Sequence, residues 1–307
     1  MKKKNITIEK KLKMYKRRFR IVLFLLIILI LGASYYLYLN FDYLAFKHLI
    51  TQHYIYPEAL DQLYKEELKR DVEGDYFSYF DDLVISIVTQ RIREKNNDLY
   101  TYLYIPEQYQ QYLKEEKEEA EQSEIKVLDK DIIYLHITNF SKYTRKFVND
   151  NLNQLEKYPY LIIDLRNNLG GDIFDMKNIA GLFLPKDSVI AEDVMRTFKW
   201  THKSKKDQAL KYEKIIILQN NNSASATENF IAALKDNLDN VLLIGDTTYG
   251  KGIGQFTMPL KKGFAVKATT MLWYTPRGVN IHGKGIKPDL FYQEEDILSF
   301  AIKKIRE

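Results

Sequence analysis

The chain has no cysteine among its 307 residues. That absence excludes disulfides, a thiol nucleophile, cysteine-held metal and a lipid-modified cysteine anchor, and it leaves the redox compartment open. A basic face on the folded part is also missing. The formal net charge is +5, but the first twenty residues hold ten Lys or Arg and one Glu, so the remainder sums to about −4. Binding to a phosphate backbone needs a basic face, so this balance argues against nucleic acid as a partner of the folded part. No repeat of solenoid period is present. At this length one sizeable domain or two small ones can bury a core of ordinary depth.

What is present first is a targeting segment. Residues 21–39 carry no charge and open with I-V-L-F-L-L-I-I-L-I-L. At 1.5 Å per residue the run crosses roughly 28 Å of hydrocarbon. Ten cations on its N-terminal side hold that end in the cytoplasm, and Tyr35, Tyr36, Tyr38, Phe41 and Tyr43 are placed for the outer interface. The expectation is a single-pass anchor in the cell membrane, with everything after it outside the cytoplasm. A cleavable signal peptide is the competing reading, because 21–31 has the length of an h-region and Gly32-Ala33-Ser34 offers small residues for cleavage.

From 41 to about 123 the sequence is polar and tyrosine-rich. Leu60, Leu63 and Leu68, and then Leu83, Ile85, Ile87, Val88 and Ile92, follow helical spacing and predict a small helical region. The charge run at 115–124 reads as solvated helix or linker and marks a boundary. Beyond it, apolar strands at 132–137, 160–165, 215–219 and 241–244 alternate with helices within 141–155 and 173–184 and from 225 to about 236. That alternation predicts an α/β core whose strands are covered on both faces. Residues 263–274 read as a long β segment ending in the turn Thr275-Pro276-Arg277-Gly278, and 296–305 as a short amphipathic helix. The expected division is a basic cytoplasmic tail (1–20), an anchor (21–40), a helical region with linker (41–123) and the core with its C-terminal helix (124–307).

Three loops in the α/β part directly follow predicted strands, where such folds place their ligands. They are I-I-D-L-R-N-N-L-G-G at 162–171, N-N-N-S-A-S-A-T-E at 220–228 and G-D-T-T-Y-G-K-G-I-G-Q at 245–255. In this order, and with T-T-M-L-W-Y-T-P-R-G-V-N-I-H-G-K-G-I-K-P-D near the end, they resemble the C-terminal processing peptidases, or tail-specific proteases. These are Ser-Lys serine peptidases with a crotonase-like core, and the resemblance covers about 125–295. It implies Ser225 as nucleophile rather than Ser223, Lys251 as general base and Gln255 as its supporting residue. It also implies an oxyanion hole made by the N–H groups of Ala226 and of a glycine in the N-N-L-G-G loop, Gly171 ahead of Gly170. Many members carry a PDZ domain upstream; here only about eighty helical-looking residues precede the core, with no candidate PDZ carboxylate loop. Asn97-Asp98-Leu99-Tyr100-Thr101 is similar to the family's segment before the core but lacks its histidine.

Elementary chemistry agrees with these roles. A serine hydroxyl needs an adjacent base near neutral pH, and an unprotonated lysine can supply it. Lysine titrates near 10.4 in water, so Lys251 has to be desolvated to work. Gln255 would orient the amine without adding a negative charge that keeps it protonated. A helix starting at Ser225 leaves free N–H groups beside the hydroxyl, suited to a developing oxyanion. Other residues have plainer readings. Ser225-Ala226-Thr227-Glu228 is also a capping box, with Glu228 a cap rather than a participant. Asp164 and Arg166 read as an ion pair or backbone support at a strand end, and Asn220 to Asn222 as loop formers. None of the five histidines lies in a serine-peptidase motif. No metal, nucleotide or other cofactor is implied, and nothing fixes the oligomeric state. The reading is a membrane-anchored serine endopeptidase acting on peptides or proteins; a catalytically silent peptide-binding protein and another acyl-transfer hydrolase are the alternatives.

Overall fold

The apolar run lies in one continuous helix, α1 (Lys2–Leu39), whose residues 21–38 are exposed to solvent along most of their length. In this computed structural model, residues 2–55, 77–294 and 296–307 are described. After Asn40 come α2 (Phe41–His48), a π-helical turn (Leu49–His53), α3 (Phe77–Asn96) and the short strand β1 (Tyr102–Tyr104). The expected helical positions Leu60, Leu63 and Leu68 fall outside the described residues. Most of the charge run belongs to α4 (Pro106–Ala120), which starts on a proline at its first turn, where the missing N–H costs nothing. Exposed pairs such as Lys114–Glu118 and Lys117–Glu121 line its solvent side, as expected for a solvated helix.

The core alternates strand and helix: β2 (Glu124–Asp129), β3 (Ile132–His136), α5 (Lys142–Asp150), α6 (Leu152–Leu155), β4 (Tyr160–Asp164) and α7 (Ile173–Phe183). There follow β5 (Val189–Met195), β6 (Lys199–Lys203), β7 (Lys214–Gln219), α8 (Ala226–Asn237), β8 (Val241–Gly245), β9 (Ile253–Pro259), β10 (Ala265–Tyr274), β11 (Leu290–Phe291) and α9 (Ile297–Arg306). Six strands form one sheet in the order β11-β8-β7-β4-β3-β2, parallel except for the β2 edge. Its inner strands are continuous apolar runs because alternate residues enter two different cores. Ile133, Leu135, Ile163, Ile215 and Ile217 pack with Phe183 and Phe230 of α7 and α8 on one face. Ile132, Ile162, Ile216 and Leu218 pack with Ile297, Ala301 and Ile305 of α9 on the other.

A second sheet of five strands is antiparallel throughout. β10 runs through its middle, paired along one edge with β9 and along the other with β1 and then β5, while β6 flanks β5. The sequence reading missed β2, β5, β6 and β9, and also β1, which lies inside the region read as helical, and the two-residue β11. It also treated 253–255 as loop, whereas Ile253 to Gln255 open β9. These strands are exposed or partly buried, or too short, so they lack the apolar run that marks a strand covered on both faces. Phe46, Leu49, Ile50, Tyr54, Ile85, Val88 and Ile92 close over Leu260, Val266 and Ala268, packing α2 and α3 onto the β9–β10 hairpin.

Candidate active site

The three loops leave the C-terminal ends of β4, β7 and β8, neighbours in the parallel sheet, and so come together on one edge of it. The loop after β7 contains two serines with different fates. Ser223 is fully buried; its hydroxyl donates to Leu165 O at 2.8 Å and accepts from Asn220 N at 3.0 Å. Ser225, just before α8, has φ 58° and ψ −117°, a strained conformation for a side-chain-bearing residue, costing about 1–3 kcal/mol. Its hydroxyl makes no hydrogen bond among the described residues, so only half of the capping box exists: Glu228 Oε2 accepts from Ser225 N at 2.8 Å. Asn220 and Asn222 bond Asn167 across the loops, as expected of loop formers.

The glycine loop lies directly against this turn. Asn168, fully buried, accepts at its side-chain oxygen from Gly170 N at 2.9 Å and from Thr227 Oγ1 at 2.7 Å, and its backbone oxygen accepts from Ala224 N at 3.0 Å. A methyl group on Gly170 would lie 3.0 Å from both Ala226 N and Ser225 Cβ, and one on Gly171 would lie 2.1 Å from Phe140 O. Both glycines have positive φ, so neither place accepts a side chain. Gly170 N–H is spent on Asn168, whereas Gly171 N–H and Ala226 N–H have no acceptor among the described residues. Asp164 and Arg166 form the expected ion pair, at 2.6 Å.

The loop after β8 is tied to the serine loop by Tyr249 N, which donates to Ser223 O at 3.0 Å, and above all by Glu228. This carboxylate is fully buried and takes four donors: Thr248 Oγ1 at 2.5 Å and Gly250 N at 2.7 Å on Oε1, Ser225 N and Lys251 N at 2.8 Å each on Oε2. The backbone nitrogens of Ser225 and Lys251 are thereby no more than about 5.6 Å apart. Far from a simple cap, Glu228 joins the two loops. Trp273 Nε1 donates to Lys251 O at 3.0 Å, and Asn280 Nδ2 to Gly252 O at 2.7 Å, fixing the other side of the lysine.

Burial, reinforced by Lys267, lowers the Lys251 pKa to about 8, against the opposing pull of Glu228 and Asp98. Its ammonium nitrogen sits 4.4 Å from the centroid of the Tyr100 ring, and no hydrogen bond joins it to Ser225 Oγ or to Gln255. Gln255 lies on β9 opposite Thr269, its Nε2 buried without a partner. The structure thus presses Gly170 against the Ser225–Ala226 turn, with Gly171 next to it in the chain, and sets the Lys251 backbone beside Ser225, with the lysine amine turned to an aromatic face.

Residues 131–291, just over half of the chain, match peptidase family S41. The chain belongs to this family. It is 39% identical over 133 residues to a "probable CtpA-like serine protease" of Staphylococcus haemolyticus, a match covering 42% of this chain and 26% of that relative. The chain therefore spans about a quarter of that relative's length. The photosystem II D1 C-terminal processing protease is 26% identical, with a TM-score of 0.48 over 53% of this chain and 43% of the other. A lipoprotein from Streptococcus agalactiae is 18% identical with a TM-score of 0.66, over 88% of this chain and 96% of the other, and so shares the fold.

Within this S41 chain, Tyr100 is the site neighbour that sequence reasoning did not assign. Its hydroxyl meets that of Tyr249 at 3.2 Å, and burial pushes its pKa well above the ordinary value. Buried Asp98 holds it in place, accepting from Tyr100 N at 2.9 Å and from Thr101 Oγ1 at 2.6 Å. The segment 97–101 was visible in the sequence. Its contact with a lysine 150 residues downstream was not.

Proposed function

We propose that the chain is a membrane-anchored serine endopeptidase with a crotonase-like core. Ser225 is the nucleophile, Lys251 the general base, Gln255 its supporting residue, and the Gly171 and Ala226 N–H groups form the oxyanion hole. The observation that carries this reading is the Glu228 carboxylate, which holds the Ser225 and Lys251 backbones within about 5.6 Å of each other. The Ser225 hydroxyl and the Gly171 and Ala226 N–H groups, none of them hydrogen-bonded among the described residues, and a lysine with a pKa near 8 support the same assignment. In the reaction, the neutral Lys251 amine swings from the Tyr100 ring to take the Ser225 proton as Oγ attacks the substrate carbonyl carbon. The oxyanion gathers the two N–H donors, each worth about 10²- to 10³-fold in rate. Lys251 then returns the proton to the leaving amine as the C–N bond breaks, and activates the water that hydrolyses the acyl-enzyme.

The residue division in this reading is 1–20 as cytoplasmic tail, 21–40 as anchor, 41–123 as N-terminal region and 124–307 as peptidase core. The long apolar exposure of α1 supports an anchor, with the peptidase outside the cytoplasm.

One observation favours a second reading: no Ser225–Lys251 hydrogen bond is formed, as in a protein that holds peptides at the same site without cutting them. The test is cleavage of a broad peptide and protein panel by the full chain in vesicles, comparing wild type with Ser225→Ala and Lys251→Ala by mass spectrometry. Wild-type products that vanish in both variants support the peptidase; three equally silent proteins, with peptide still retained on the vesicles, would establish the binder instead.

A further inference from the structure

The anchor helix and the catalytic lysine are joined by one short, stiff path. Between α1 and α2 there is no linker: Asn40 N donates to Tyr36 O at 3.1 Å, Leu44 N donates to Asn40 O at 2.9 Å, and Asn40 Nδ2 also reaches Tyr36 O at 2.9 Å. Two residues on, buried Asp42 accepts from the backbone N of Lys261 through both oxygens, at 2.9 and 3.1 Å. Lys261 sits in the turn of the β9–β10 hairpin. Its side-chain nitrogen lies 3.5 Å from Leu39 O and 4.5 Å from the centroid of the Tyr38 ring, on the last turn of α1. Leu260, Val266 and Ala268 of the same hairpin are sealed under Phe46, Leu49 and Ile50. The hairpin turn is thus built onto the outer end of the apolar helix, and the strand leaving it, β9, leads back to Gln255 and Lys251.

Ten residues separate Lys261 from Lys251, and a fully extended chain of that length reaches at most about 35 Å. The site therefore lies within about 35 Å of the hairpin turn that packs on the end of α1, and the absence of a linker prevents it from ranging outward. We infer that the substrates are polypeptides held at the outer face of the same membrane, cut in a stretch within about 35 Å of that face, roughly ten extended residues from where they emerge. This rests on the proposed peptidase activity and anchor. A substrate fixed to the same bilayer meets the site at a high effective concentration, whereas a soluble one gains nothing from the anchor.

The test uses the full chain in phosphatidylcholine–phosphatidylglycerol vesicles. One cleavable peptide is offered free in solution, or on a lipid tether through stiff proline-rich spacers that set the scissile bond about 15, 30 or 60 Å above the headgroups. The expected result is at least about tenfold faster cleavage at the better of the two short heights than of free peptide at equal bulk concentration, with a clear fall at the longest. A variant with a long Gly-Ser segment inserted between Leu39 and Asn40 should flatten this height profile while cutting free peptide at the wild-type rate. Free peptide cut as fast as tethered peptide, or equal rates at all heights, overturns the inference and leaves the peptidase reading standing. No cleavage in any arm overturns both.

Discussion

The two sheets specify their parts of the site by different means. Around Ser225, in the parallel sheet, glycines pressed on Phe140 and Ala226 and a serine in a strained turn fix the backbone, and the side chains of Asn168, Ser223 and Asn220 tie the loops together. Around Lys251, at the margin of the antiparallel sheet, Gly250 and Gly252 press on Gly285 and His282 in a similar way, and the lysine itself is set among the side chains of Glu228, Trp273 and Tyr100. Buried charge is found in both halves, with Asp164, Asp175, Lys177 and Glu228 in the one and Asp98 and Asp193 in the other. Lys177 Nζ and His202 Nε2 both reach Asp193 Oδ2, at 2.8 and 2.6 Å, and Asp193 pairs in register with Trp273. Neither half tolerates an added carbon at its glycines, but only the lysine half also depends on the burial and charge that its neighbours impose.

Substitutions can break or sharpen this contrast. The largest effect is expected from Ser225→Ala, which removes the hydroxyl and leaves the backbone alone: kcat/KM falls by about 10⁴-fold or more with the melting temperature unchanged. Equal losses of activity and stability would show that the hydroxyl has a packing role instead. Next is Gly171→Ala, which forces a carbon onto Phe140 O and should cost about 3 kcal/mol or more of stability along with activity, read by denaturant unfolding.

Glu228→Gln tests the seam between the halves. It keeps the shape but sets an amide N–H₂ against donors, so kcat/KM should drop by about 10²-fold. Losing the anion also lowers the Lys251 pKa further, moving the rising limb of the pH profile to lower pH. The smallest effect belongs to Tyr100→Ala. Opening Lys251 to water raises its pKa, so the limb that rises near pH 8 in wild type should move up by about one unit, while Tyr100→Phe stays close to wild type. The same linkage appears in stability. Below pH 8 Lys251 is protonated in both the folded and unfolded states and its buried charge costs stability. Above that the folded protein releases the proton first, so stability rises with pH from about 8 towards the unfolded value of about 10.4.

Much of the serine half was legible from the chain alone, because strands covered on both faces must be apolar throughout and glycine-rich turns have few other uses. The strands read at 160–165 and 215–219 appear within a residue of their expected limits. The lysine half was legible only where a motif marked it. β5, β6 and β9 carry polar residues that become intelligible once their neighbours in the sheet are known. Glu228 was read as a cap because capping needs three residues of sequence, while its other three donors come from a loop about twenty residues on.

The backbone at Ser225 is one in which glycine would be at ease and every other residue is strained. Because the hydroxyl caps nothing, Ser225→Gly would give up no bond and shed that strain. A laboratory selection for thermal endurance alone would therefore find its gain at the residue proposed to do the chemistry. The hardiest descendants of this protein would be the inert ones, and any stabilisation campaign has to screen for turnover alongside survival.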